Sequence, residues 1–251
     1  MADVFNDYAR YYDLLYKEKD YAAEALYIHG LIQKHKPGAR TILNLGCGTG
    51  KHDACLERLN YRISGVDFSD TMLVEAHKRT ISDKLEFFKG DARSVELGKK
   101  FDVVISLFHV ISYQTMEEDI LAVFRTAEKH LAPGGIFIFD FWHGEGVLND
   151  PPVVRVKRLE DDMIRVMRVA EPLVHKDKRV VDVYYQIIAF NKKDAQWSEL
   201  KEKHSMRYFF LPEISAYLLN VGFTLDESLE WMSKEKLSMA WYGVVVASKK
   251  L

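Results

Sequence analysis

Apolar residues set the rhythm of this chain before any single motif does. Between residues 11 and 33, Tyr12, Leu15, Tyr16, Ala22, Leu26, Ile28 and Ile32 recur at roughly helical spacing and stop ahead of Lys36-Pro37-Gly38. That pattern predicts one or two helices. A repeated strand-helix unit follows: strands are expected at 41–45, 61–66, 85–88, 101–107 and 136–142, with helices at 51–59, 69–79 and 117–130. Ser69 is placed to cap the second of these helices, and Pro133-Gly134-Gly135 reads as a turn before the fifth strand. The last two strands are largely apolar, as strands covered on both faces are. Five strands alternating with helices predict an α/β fold with a parallel, doubly wound sheet.

After Asn149-Asp150-Pro151-Pro152 the pattern changes, and 153–158, 163–170, 179–190 and 203–210 read as successive strands separated by charged turns. An antiparallel β insertion is expected there, over residues 151–210. The first pattern then returns. Leu211-Pro212-Glu213 opens a helix running to Asn220, Gly222 ends it, and strands are expected at 224–230 and 241–247. The division is therefore an N-terminal helical segment at 1–36, a core at 37–150 and 211–251, and the insertion between the two parts of the core.

Composition narrows the partners. The 251 residues are 48% hydrophobic and 29% charged, with 35 Lys plus Arg against 37 Asp plus Glu, a net charge of -2. No basic excess exists to neutralise a run of phosphates, so nucleic acid is not an expected partner. No apolar run approaches the ~20 residues of a membrane-spanning helix. The MADVFNDYARYY start carries no basic or apolar leader, and Cys47 and Cys55, eight apart, form no disulfide framework. The cytoplasm is the expected compartment.

The chemistry concentrates where the first strand runs into three glycines, Leu43-Asn44-Leu45-Gly46-Cys47-Gly48-Thr49-Gly50. Glycine is required where backbone turns sharply and lies against a ligand. A nicotinamide fingerprint would need glycine at position 51, which is Lys51, and a P-loop would need it at Leu45 and a Ser or Thr at His52. Both readings fail. What remains is G-x-G-x-G followed by Asp67, twenty-one positions after Gly46, at the end of the second strand. That spacing suits a carboxylate accepting ribose hydroxyls.

The segments LNLGCGTG, GVDFSDTML, KGDARSV and LAPGGIFIFDFW together resemble the successive motifs of class I S-adenosylmethionine-dependent methyltransferases. The resemblance covers residues 41–142, and the 211–247 tail is similar to that family's closing helix and strand pair. It implies a Rossmann-like, seven-stranded, mostly parallel sheet, with S-adenosyl-L-methionine as cofactor and S-adenosyl-L-homocysteine as product. Residue by residue, it places Gly46, Cys47, Gly48 and Gly50 beneath the methionine portion and Asp67 on the ribose. Phe68 and Met72 would pack on the adenine, Asp91 and Ala92 would meet its amine edge, and Leu107 and Phe108 would lie beside the sulfonium. The family usually has an acid where this chain has Asn44, so the cofactor's amino group would meet an amide there. The plain alternatives are a tight strand-to-helix turn for the glycines, strand-end caps for the two aspartates and a core side chain for Met72.

A narrower likeness, to amino-sugar N-methyltransferases acting on nucleotide-linked sugars, rests on Tyr12 to Tyr16, on the Lys19 to Ala25 stretch and on the position of the insertion. It makes 1–36 a helical lid and brings Tyr16 to the reacting centre, next to the cofactor. The acceptor is then a small polar molecule, by preference the amine of such a sugar, methylated by direct in-line displacement. The other enzymatic reading is O-methylation of a sugar or metabolite with His109 or His143 as base. A third is a non-catalytic cofactor-binding partner subunit. Strand ends also bring Tyr113, Trp142, Tyr208 and Trp241 into consideration for the acceptor pocket. Arg155, Lys157, Arg165, Arg168 and Arg207 are the cations available to a pyrophosphate. Asp150-Pro151-Pro152 reads as a linker, and His143 with Glu145 is too small a set for a metal, so none is expected. Insertion strands with an exposed edge would permit a homodimer.

Overall fold

The computed structural model describes residues 14–80 and 82–250. Its helices are α1 (Tyr21–His35), α2 (Lys51–Arg58), α3 (Asp70–His77), α4 (Glu117–His130), α5 (Gly144–Asn149) and α6 (Leu211–Asn220). The strands are β1 (Thr41–Leu45), β2 (Arg62–Asp67), β3 (Leu85–Lys89), β4 (Phe101–Ser106) and β5 (Leu131–His143), then β6 (Arg155–Glu160), β7 (Ile164–His175), β8 (Val180–Asn191), β9 (Gln196–Phe209), β10 (Phe223–Glu230) and β11 (Tyr242–Lys249).

Strand residues alternate between two apolar layers, which is why the sheet carries helices on both faces. Ile42, Val103, Ile105, Ile136 and Ile138 join the layer that holds Ile28 and Ile32 of α1 and Leu56 of α2. Their neighbours Leu43, Val104, Phe137 and Phe139 join the layer that holds Phe124 of α4 and Leu218 of α6. Burying every second residue on each side is the period of a strand, so both faces demand apolar residues and the strands read as continuous apolar runs. Helix α4 spans 117–130 as its periodicity predicts, with three acids in its first turn and Lys129 and His130 in its last, the polarity that suits a helix dipole. Ser69 caps α3 by accepting the Met72 N–H.

Strands β1 to β5 are parallel in the order β3-β2-β1-β4-β5, and β11 lies antiparallel against β5 with β10 outside it. These are the expected seven. The insertion is antiparallel, as expected, and it also joins the central sheet. β6 to β9 form an antiparallel meander, and the end of β9 runs parallel to the end of β5, pairing Trp142 with Tyr208 and His143 with Phe209. One sheet of eleven strands therefore runs through both parts.

One further expectation needs correction. Pro133-Gly134-Gly135 is no turn before a strand: β5 already begins at Leu131, and the glycines form an irregularity where two β4 residues, Phe101 and Val103, face Leu131 and Ile136. Gly134 supplies the left-handed backbone this needs, at φ +65°. The short helix α5 was not expected. Of the segment 1–36 expected as a helical lid, residues 14–36 are described. Residues 1–13, with Tyr12, lie outside the described residues, α1 is built into the main core, and Leu14 to Tyr16 pack on the insertion against Val166 and Ile187. No helix among the described residues is long and apolar enough to cross a membrane.

Candidate active site

Beyond the carboxyl ends of the parallel strands lies a cavity of about 960 Å³. One side is the glycine loop between β1 and α2. Gly46, Gly48 and Gly50 all take positive φ (+84°, +56° and +72°), each for a different reason. A Cβ on Gly46 would sit 2.6 Å from a Val110 methyl, and one on Gly50 would sit 2.6 Å from the Phe87 ring. At Gly48 nothing stands within 4 Å, so only the backbone conformation demands glycine there. The amides of Gly46 and Cys47 both donate to the Val66 carbonyl, tying the loop to the end of β2.

Asp67, the last residue of β2, locks this loop. Its carboxylate accepts the Gly48 N–H and the Ser69 N–H, each at 2.8 Å, while burial pushes its pKa up. Gly46, Cys47, Gly48, Asp67, Phe68, Met72, Asp91 and Ala92 all line the cavity. Asp91 is gripped by Arg93, whose Nε lies 3.0 Å from both carboxylate oxygens, and this holds its pKa below the usual range. Arg93 also binds Asp119 at 2.7 Å, fixing the end of β3's loop to α4.

Leu107 and Phe108 leave β4 at the centre of the cavity, where Phe108 and His109 both adopt positive φ (+67° and +65°). Two successive non-glycine residues in this region cost on the order of 1–3 kcal/mol each. Asp140 on β5, fully buried, offsets the strain: it accepts the His109 N–H at 3.0 Å, and its Oδ2 lies 2.8 Å from the His109 Nδ1. The His109 ring stacks on Tyr242 at 4.4 Å. Tyr16 meets Phe108 edge-on at 5.0 Å and accepts from Arg168 at 3.5 Å, so it bridges the strained turn and the insertion.

The opposite wall is the inward face of the insertion sheet. The register pairs Arg155 with Ala170, Lys157 with Arg168, Ala170 with Tyr185, Pro172 with Val183, and Val183 with His204. These residues share one face and all line the cavity. Arg165, three positions before Arg168, falls on the other face and pairs with Glu160 at the surface. Arg207 is likewise turned away, held by Glu213 and Tyr217. Burial pushes the Tyr185 phenol up to about 12 and that of Tyr113 well above its ordinary value.

Several expected site residues are elsewhere. His143 is buried outside the cavity lining, with Nδ1 at 3.2 Å from the Ala240 carbonyl and Nε2 at 2.5 Å from Glu145. It follows Trp142, which does line the cavity, and one step along a strand reverses the face. Asn44 lies under the glycine loop and donates to Asp53 at 2.9 Å. Asp53 is fully buried, and burial raises its carboxyl to about 7. Gly50 serves the turn and the Phe87 contact, and Tyr208 is packed with Val147 and Val181 away from the cavity. Trp241 does reach the cavity wall, its Nε1 donating to the Asp150 carbonyl at 2.8 Å, so the Asp-Pro-Pro string is a linker pinned by an indole. Sequence reasoning missed Asp140, Arg93, Tyr185 and His204. For His204 a signal existed, since Met206 and Tyr208 at the same strand phase are apolar and buried.

Residues 42–135 match the family described as a methyltransferase domain. The dTDP-3-amino-3,4,6-trideoxy-alpha-D-glucopyranose N,N-dimethyltransferase of Streptomyces venezuelae is 36% identical over 138 residues, 54% of this chain and 57% of that protein. The match thus spans little more than half the length of that relative. A dTDP-3-amino-3,6-dideoxy-alpha-D-glucopyranose N,N-dimethyltransferase of Streptomyces fradiae is 28% identical over 228 residues, 90% of this chain and 87% of that one. Among solved structures, an S-adenosylmethionine-dependent methyltransferase from Clostridium acetobutylicum superposes with a TM-score of 0.83 at 21% identity, covering 99% of this chain and all of its own.

Proposed function

We propose that the chain methylates the amine of a nucleotide-linked amino sugar: residues 42–135 match a methyltransferase-domain family, and the fold is similar to that of a solved S-adenosylmethionine-dependent methyltransferase. The observation that carries the reading is one cavity with two unlike walls: a glycine loop closed by two acids on one side, and an insertion face bearing Arg155, Lys157 and Arg168 on the other. About 960 Å³ is room for a nucleoside-sized cofactor together with a second polar molecule.

The loop fits S-adenosylmethionine on its own terms. Gly48 faces open space, and Asp67 ends β2 with both oxygens oriented by backbone N–H groups, leaving acceptor capacity for ribose hydroxyls. Asp91, held by Arg93, stands ready for an adenine amine, between the Phe68 and Met72 side and the Ala92 backbone. Bound there, the cofactor supplies a methyl group on a positively charged sulfur. Phe108 and Tyr16, edge to face, offer aromatic surface to that charge. The protein's part is then to hold the acceptor nitrogen in line with the methyl, worth several kcal/mol of barrier through positioning alone. Arg155, Lys157 and Arg168 are spaced to grip a pyrophosphate between nucleoside and sugar, which fixes that line from a distance. The two N,N-dimethyltransferase relatives, whose names carry dTDP-linked amino sugars, support this acceptor class.

The test has two parts. Calorimetry should show binding of S-adenosylhomocysteine, and incubation with S-adenosylmethionine and dTDP-3-amino-3,6-dideoxyglucose should add one or two methyl groups by mass. No binding of either cofactor form sinks the reading, and binding without transfer to any amino sugar sinks the acceptor class. The His109–Asp140 contact favours a second reading, a hydroxyl acceptor with His109 as base. His109→Ala should then abolish most transfer, whereas an amine acceptor should tolerate it better.

A further inference from the structure

A three-residue polar chain runs from the cavity into the insertion. Tyr113, on the short 3-10 turn Val110–Tyr113 after β4, lines the cavity, and its hydroxyl lies 2.7 Å from Nδ1 of His204 on β9. Nε2 of that imidazole lies 2.9 Å from Oε2 of Glu202. The His204 and Glu202 side chains are only 3% and 5% exposed, so this is an interior contact and not a surface pair. An ionised carboxylate can only accept, so the imidazole proton belongs on Nε2. Nδ1 then carries a lone pair and must receive the Tyr113 hydroxyl proton. In that tautomer donors point inward from the cavity, from phenol to imidazole to carboxylate.

An amine acceptor arrives protonated near neutral pH, and a protonated nitrogen has no lone pair to offer. We propose that Tyr113, His204 and Glu202 form a relay that strips this proton, with Tyr113 as the group touching the acceptor and the other two as positioning residues. The proposal rests on reading the cavity as a site of amine methylation. The ammonium gives one proton to the Tyr113 oxygen while the phenol's own proton moves to His204 Nδ1. The nitrogen is left neutral with its lone pair, and the positive charge ends on the imidazole beside the Glu202 carboxylate. The other groups facing the imidazole are compatible with a transient charge. The Tyr185 ring meets it edge-on at 4.8 Å, and the Arg168 guanidinium, 5.0 Å from that ring, is a cation whose repulsion Glu202 must offset. Of the other imidazoles at the wall, His109 is occupied with Asp140 at the strained turn and His52 lies 2.6 Å from Glu24.

Two measurements decide it. Nitrogen NMR of the wild-type protein at neutral pH, with His204→Gln to assign the signals, should show His204 neutral with its proton on Nε2, and Glu202→Gln should mix the tautomers. A proton on Nδ1, or a charged ring, would overturn the relay because neither could accept from Tyr113. The second measurement is the pH profile of single-turnover transfer to dTDP-3-amino-3,6-dideoxyglucose. Tyr113→Phe and His204→Gln should slow it by about 10²-fold near pH 6.5 and approach the wild-type rate toward pH 9, where the amine loses its proton unaided. S-adenosylhomocysteine affinity should not change. An equal loss at every pH would mark the trio as structural and end the proposal. The NMR arm needs no turnover, so a chain that leaves this amine unmethylated counts against the proposed function while the relay stands or falls on the imidazole signals.

Discussion

The two walls of the cavity are built by different means. On the loop side the shape is made by main chain: three left-handed glycines, amides tied to the Val66 carbonyl, and Asp67 holding two backbone N–H groups. On the insertion side the shape is made by side chains projecting from four antiparallel strands, Arg155 to His204, and the backbone is ordinary sheet. A wall of main chain admits little variation, because each contact depends on a dihedral angle. A wall of side chains can change one residue at a time. On the proposed function, recognition of a common group and choice of a particular acceptor would be separable in this fold.

Substitutions can break that contrast or sharpen it. The largest effect is expected from Gly46→Val: its Cβ falls 2.6 and 2.7 Å from the two Val110 methyls at a φ of +84°. Strain and overpacking together cost on the order of 2–6 kcal/mol, so S-adenosylhomocysteine binding by calorimetry should weaken by about 100-fold or more. The His204 signals should stay in place, and their displacement would break the separation of the walls.

Next comes Asp53→Asn, beneath the loop. The Asp53 carboxyl sits at about 7 in the fold because of burial, against about 3.9 unfolded. Between those values the folded state holds the proton that the unfolded state has lost, so this group's contribution is full below pH 4, falls as pH rises to 7 and is flat above. Asparagine keeps an oxygen for the Asn44 amide and does not titrate. Chemical unfolding should show the variant gaining on wild type by on the order of 1–3 kcal/mol between pH 4 and 8; a gap that stays constant would refute the assignment.

A smaller effect is expected on the other wall. Arg168→Met should raise the acceptor KM about 10-fold, the loss of one charge-assisted contact, with cofactor affinity unmoved in calorimetry. The smallest belongs to Arg165→Ala, on the same strand but the outer face, paired with Glu160 in solvent. Stability should shift by less than about 0.5 kcal/mol and KM not at all. If Arg165 mattered as much as Arg168, the register reading of that wall would be wrong.

The loop side was legible in the sequence for the same reason that it is rigid. Gly46, Gly48, Asp67 and Asp91 fall where strands end, and alternating strand and helix fix where strands end. The β4–α4–β5 stretch was equally readable from its apolar period, apart from the start of β5, where the Pro-Gly-Gly string broke the pattern without breaking the strand. The insertion side was not legible, because membership of that wall depends on the phase of each strand. Arg165 and Arg168 look alike in a list of cations, and only the pairing of Lys157 with Arg168 separates them. His143 was misplaced by a single residue for the same reason. Asn44 stood at a telling position, but its donor had gone to Asp53, nine residues on, an acid with no motif to mark it.

The insertion meets the central sheet along β5 through two residue pairs, Trp142 with Tyr208 and His143 with Phe209. Such a narrow seam is a place where ancestry and engineering can both cut. A transplanted meander would have to reproduce the aromatic ends of β5 and β9 together with the contacts that Leu14 to Tyr16, Tyr113 and Glu213 make with the insertion. On the proposed function, grafting the corresponding segment of a methyltransferase onto this core should exchange acceptor preference while this chain's own glycine loop stays untouched, much as one chuck accepts many bits.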